Sequence, residues 1–187
     1  MPAKISLGIL DKLVGLPLSG FNHWYSDSFY FGSWVEVTND KSETIETTDA
    51  RLLVYCPWQI SRGKQFFSMF DTPIGEEGTQ ALVDLLRPYL GEPTESESNS
   101  LTDIEDEEQY LPLRIENIFF ERMDRGDLAV LQVEAYQNGA ISLKLTHKYV
   151  LTVLPVKRDL EFHWGVHATY DGKMTWCRGP KCVIGTD

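Results

Sequence analysis

Apolar and polar residues alternate with a period of two over several stretches of this chain, the signature of strands with one buried face. The clearest case lies late in the sequence. Leu128 to Tyr136 and Ala140 to Thr146 both alternate, and Asn138-Gly139 stands between them. Asn-Gly tolerates the positive φ angles of a tight turn, so the two runs predict a β-hairpin. In that hairpin Leu131, Val133 and Ala135 share a face opposite Ile141, Leu143 and Leu145, while Ser142, Lys144 and Thr146 point outward. His147-Lys148 then turns the chain into a third strand, Tyr149 to Leu154, ended by Pro155. Leu160 to Trp164 and Lys173 to Cys177 read as short strands, with Tyr170-Asp171-Gly172 as a turn.

The first half shows the same period. Ser28 to Thr38 places Phe29, Phe31, Ser33, Val35 and Val37 on one face and reads as one strand. Asn39 to Thr48 is polar and predicts a loop between paired strands. Ala50 to Cys56 is a second strand, stopped by Pro57, and Lys64 to Phe70 a third, after a turn at Arg62-Gly63. Helical spacing appears at Ile5, Ile9, Leu10 and Leu13, and again from Glu76 to Leu90, where Glu76 and Glu77 suit a helix N-terminus and Gly91 an end. Leu111 to Arg122 is ambiguous: Ile115, Ile118 and Phe119 fit a helix, while Leu113, Ile115 and Asn117 fit a strand poorly. The sum is an α+β fold, antiparallel β-sheet meanders arranged as a partly open barrel or a sandwich, with two or three helices.

A chain of 187 residues with 42% hydrophobic content is long enough for one domain and for a core that needs no staples. One domain spanning 1–187 is therefore expected. The net charge of −11 is unevenly placed. Between Gly91 and Tyr110 stand eight acids and no Lys or Arg, which leaves −3 for the rest of the chain. This segment is rich in Ser and Glu, so a flexible, solvated acidic insertion is expected at about 91–110. A negative field repels phosphate backbones and anionic lipid, so neither nucleic acid nor membrane is an expected partner. No apolar run approaches the roughly 20 residues of a membrane span. The N-terminal stretch makes a poor signal peptide, and three cysteines are a poor disulfide framework. Together these point to a cytoplasmic location.

Three groups could carry chemistry. His163-x3-His167 and Cys177-x4-Cys182 have spacings used by structural zinc, and the i, i+4 histidines would share a face. The plainer reading is a half-buried strand histidine beside Phe162 and Trp164, with the cysteines as loop thiols or as a redox-sensitive disulfide. Phe21 to Trp34 holds seven aromatics. His23, Trp24, Tyr25 and Trp34 are its candidates for a ligand groove, against the alternative that most of these rings are core. Glu105, Asp106, Glu107 and Glu108 are candidates for docking a basic protein partner, against a plain solvated linker. Cys56 ends an apolar strand and reads as a buried structural thiol. There is no phosphate-binding glycine loop, no Gly-x-Ser-x-Gly elbow and no His-Glu-x-x-His, which lowers the odds of the common NTPases, dehydrogenases, hydrolases and zinc proteases. No cofactor is expected, zinc being the one metal that the spacing admits.

An aromatic strand reaching Phe31-Gly32, a strand ending Cys56-Pro57-Trp58, a late hairpin with Val133-Glu134-Ala135 before Gly139-x-x-x-Leu143, an aliphatic strand and then Trp164 together resemble small bacterial single-domain proteins of uncharacterised function. The likeness runs from Leu13 to Trp164. It implies one compact bacterial domain and assigns no activity and no site residue. Three classes of function stay open on this reading: a non-catalytic protein-binding module, of immunity or adaptor type, working through an acidic surface; a small-molecule or zinc-binding protein, an unrecognised enzyme included; or a structural or regulatory domain with no separable site, whose activity is assembly.

Overall fold

The Asn138-Gly139 hairpin forms, and it sits inside one of two six-stranded antiparallel sheets. The computed structural model describes residues 3–23, 26–38, 41–67, 111–155, 162–169, 172–178 and 183–186. The predicted helix from Glu76 to Leu90 and the acidic insertion at 91–110 lie outside them. Sheet A has the order β1-β9-β10-β11-β7-β8. Its strands are β1 (Lys4–Ile5), β7 (Trp58–Arg62), β8 (Gln65–Phe67), β9 (Val130–Tyr136), β10 (Ile141–Leu145) and β11 (Tyr149–Val153). Sheet B has the order β14-β13-β12-β6-β3-β2. It comprises β2 (Leu18–His23), β3 (Asp27–Phe31), β6 (Ala50–Val54), β12 (Phe162–Ala168), β13 (Met174–Arg178) and β14 (Val183–Thr186). A separate hairpin pairs β4 (Val35–Thr38) with β5 (Thr44–Thr47). Two helices are described, α1 (Gly8–Asp11) and α2 (Leu111–Asp124), with a 3-10 turn at Thr146–Lys148. The chain is thus mostly antiparallel β with helices attached. Among the described residues no helix is long and apolar enough to cross a membrane.

One core joins the two sheets. Trp58, Ile60, Leu143, Leu151 and Val153 from sheet A and Phe29, Phe31, Leu52, Val54, Trp164 and Val166 from sheet B belong to a single buried cluster. Burying each such side chain contributes roughly 1.5–3 kcal/mol. Both buried tryptophans meet their polar requirement across elements: Trp58 Nε1 donates to Asp27 Oδ2 at 2.5 Å and Trp164 Nε1 to the Gly139 carbonyl at 2.6 Å. The ambiguous segment is helical, and α2 packs Phe119 against Phe67 and Tyr149, and Phe120 against Phe21.

Several local expectations need correction. The run Ser28 to Thr38 is not one strand. Gly32 takes φ +93°, and an added Cβ there would lie 2.1 Å from Asp49 Oδ2, so the chain turns out of the sheet at a position that suits only glycine. Beyond that break β4 pairs with β5, which occupies the segment expected to be a loop. Trp58–Arg62 is a full strand despite the preceding proline. The N-terminal helix is confined to Gly8–Asp11, with Ile5 in β1. In the late hairpin only Gly139 has positive φ, and Asn138 Oδ1 accepts from Ala140 N–H. This is a three-residue turn with glycine in the left-handed position. Val133 and Ala135 do face Leu143 and Ile141, but a register shift at Lys144/Leu145 sets Val130 opposite Leu145 and leaves Leu131 exposed. Ser142, expected outward and wet, is buried.

Candidate functional site

Alternation gives each strand of sheet B a second face, turned away from the core, and the ladder registers bring its side chains into rows. One row reads Gly20, Tyr30, Arg51, His167, Met174 across β2, β3, β6, β12 and β13. The next reads Ser28, Leu53, Gly165, Trp176, Gly185. A third sets Phe162 beside Arg178 and Val183, with Tyr55 packed on Phe162 at 4.9 Å between ring centroids. Directly opposed residues in such ladders have Cβ atoms about 4.5–5.5 Å apart, so each row is continuous.

Three glycines allow bulky groups to lie on the sheet. Trp34 covers Gly20, Met174 and Phe162 cover Gly165, and Trp176 covers Gly185; an added Cβ would meet these groups at 3.0, 2.0 and 2.5 Å respectively. The result is a face of aromatic rings that are only partly buried. Trp34 is 46% exposed and Tyr55 36%.

Among the described residues of these rows the charged side chains are Arg51 and Arg178. The guanidinium of Arg51 lies 5.3 Å from the Tyr30 ring centre and donates from Nη2 to Ser28 Oγ at 2.9 Å; its Nε is buried without a hydrogen-bond partner. Arg178 lies 4.4 Å over Trp176. Neither arginine is among the ion pairs of the described residues. His167 is exposed beside Arg51. None of the described strand residues in these rows is acidic, although acids outnumber bases 28 to 17 in the chain. Asp49, just before β6, is engaged by the Ser33 N–H at 3.0 Å.

The sites expected from sequence fall as follows. His163 and His167 both lie on β12, but a register shift between Phe162 and Trp164 inserts His163 as an extra residue. His163 is buried and His167 exposed, so the two imidazoles occupy different environments. Cys177 is on β13, buried and disulfide-bonded, and Cys56 is free. The third cysteine of the sequence, Cys182, lies outside the described residues. A disulfide sulfur is not a thiolate, so zinc on these residues requires Cys177 to be reduced. Among the described residues no group of three or more His, Cys, Asp or Glu is placed to hold a metal.

In the aromatic region, Trp24 and Tyr25 lie outside the described residues. His23 ends β2, and its Nδ1 is 2.5 Å from Asp27 Oδ1, while Asp27 Oδ2 accepts from Trp58. A buried carboxylate thus orients a half-exposed imidazole and ties sheet B to sheet A. Phe21, Phe29 and Phe31 belong to the core or pack against it, and Trp34 lies on the outer face. Glu105, Asp106, Glu107 and Glu108 are outside the described residues. Burial pushes the Cys56 thiol far above its ordinary pKa, which makes it a poor nucleophile.

Arg51, Tyr55, Phe162, Trp176 and Arg178 were not singled out by sequence. Their signal is bulk at both alternating sets of positions: Leu52 and Val54 point inward between Arg51, Leu53 and Tyr55, and Cys177 between Trp176 and Arg178. No protein-family model, curated protein or solved structure matches the chain.

Proposed function

We propose that this chain is a non-catalytic protein-binding module: a two-sheet sandwich that docks its partner on the outer face of sheet B. The observation that carries this reading is that face itself. Half-exposed Trp34, Tyr55 and Trp176 stand beside Arg51 and Arg178. Trp, Tyr and Arg are the residues that dominate binding energy at protein interfaces. The partner is a protein that presents carboxylates, because the face carries two arginines and a histidine and the described residues of its rows include no acid. This reverses the sign expected for a partner of the acidic run Glu105–Glu108, which would be basic; the two surfaces would serve different contacts.

The test begins with a photo-reactive phenylalanine analogue placed at Tyr55 or Trp176 to trap the partner in living cells. The trapped protein is then purified and its affinity measured. Trp34→Ala and Tyr55→Ala should each weaken binding by about tenfold, while Leu131→Ser on sheet A should leave it unchanged. Equal affinity for all four proteins would overturn the reading.

A further inference from the structure

Resting on the docking face just described, we infer that Arg51 is its specificity-determining anchor and that its guanidinium seats a glutamate or aspartate side chain of the partner. Two observations separate Arg51 from the other cation of the face. Its guanidinium is held over β3 by two contacts, the Tyr30 ring at 5.3 Å and Ser28 Oγ at 2.9 Å, and Arg51 is half-buried, whereas Arg178 is exposed. A planar fork that is already held loses little freedom when it takes a carboxylate.

Its present surroundings are also incomplete. The Tyr30 ring and the Ser28 hydroxyl that hold it are neutral, its Nε has no hydrogen-bond partner, and no ion pair among the described residues includes it. A partly desolvated cation among neutral groups is stabilised by an incoming anion more than a fully hydrated one is. Arg178, stacked on Trp176 and open to water, adds attraction at long range and tolerates replacement by any cation.

The experiment is an NMR titration of the full chain with an acetylated, amidated octapeptide of alternating Glu and Tyr, and with its Gln-Tyr counterpart. The acidic peptide should shift the resonances of Tyr30, Arg51 and His167, and its binding should weaken as salt is raised. Arg51→Lys keeps the charge but loses the planar stack, and should lower affinity by about tenfold, whereas Arg178→Lys should change it less than about threefold. Thermal unfolding of both variants checks that the fold is intact. Equal binding of the Gln-Tyr peptide, or an unchanged affinity in Arg51→Lys, overturns the anchor; if Tyr55→Ala still weakens such binding, the docking face survives without it. Shifts confined to sheet A, or no shifts at all, overturn both.

Discussion

On the outer face of sheet A, Gln59, Ser61, Ser142 and Thr152 are 0–4% exposed, while on the outer face of sheet B the rings of Trp34 and Tyr55 are 36–46% exposed. The ordinary arrangement, apolar groups covered and polar groups wet, is reversed between the two. Sheet A carries a polar row, Glu134, Ser142, Thr152, Gln59, in cross-strand register. Thr152 Oγ1 and Gln59 Oε1 in that row have no hydrogen-bond partner. At one end Glu134 is well served: Lys4 donates at 2.5 Å, Tyr136 at 2.8 Å and Gln132 at 3.0 Å. Burial works against its charged form, but the hydrogen bonds from Lys4 and Tyr136 and the charge of Lys144 outweigh it, so its pKa lies below the ordinary carboxylate value. Sheet A therefore treats its outer face as interior, satisfying Glu134 within the chain and leaving Thr152 Oγ1 and Gln59 Oε1 without a partner. Sheet B leaves the rings of Trp34 and Tyr55 partly exposed on the face that carries Arg51 and Arg178, the contrast on which the proposed docking surface rests.

The contrast breaks most sharply under a new charge. Thr152→Asp should cost about 3 kcal/mol or more in urea unfolding, because it buries an unpaired carboxylate, whereas Tyr55→Asp should cost less than about 1 kcal/mol. Comparable losses at the two sites would remove the distinction between a covered and an open face.

Glu134→Gln comes next, with an expected loss of about 1–2 kcal/mol near neutral pH. Since folding lowers the pKa of Glu134, its contribution is present above the unfolded value of about 4.3 and is lost as pH falls through the folded value. The gap between wild type and variant should therefore close in acid, and a gap constant from pH 7 to pH 3 would show that the charge is not involved.

Gly165→Ala tests the platform of sheet B. The added methyl displaces Met174 Cε and Phe162 Cζ, both flexible ends, so a loss of about 1 kcal/mol is expected, together with a change in tryptophan fluorescence from the neighbouring Trp176. The smallest effect carries the opposite sign. Thr152→Val removes a hydroxyl that has no partner and should be neutral or raise stability by up to about 1 kcal/mol; a clear loss in calorimetry would mean that the hydroxyl is satisfied in solution.

How much of this was readable beforehand depended on distance along the chain. The Asn138-Gly139 hairpin was legible because its strands lie within twenty residues and its turn glycine is local. The break at Gly32 was not, since alternation continues unbroken on both sides of it and the cause, Asp49 packed against the glycine, lies seventeen residues on. Trp58–Arg62 alternates as a strand does, but Pro57 reads as a stop and the sequence alone assigns the segment to no element; its place is set by pairing with β11, far along the chain. Of the outer face of sheet B, Trp34 was picked out as an aromatic and His167 as a ligand, neither from its place in the sheet.

By itself the sequence determined the period of most strands, the identity of the core-facing aliphatic residues and the imbalance of charge, because these depend on neighbours two to four residues apart. Only the tertiary structure decided which second faces are covered and which are open. That choice rests on the order of strands in each sheet, where β6 is flanked by β3 and β12 and so sets Tyr30, Arg51 and His167 side by side. Strand order is a property of long-range pairing, and no local pattern of residues encodes it.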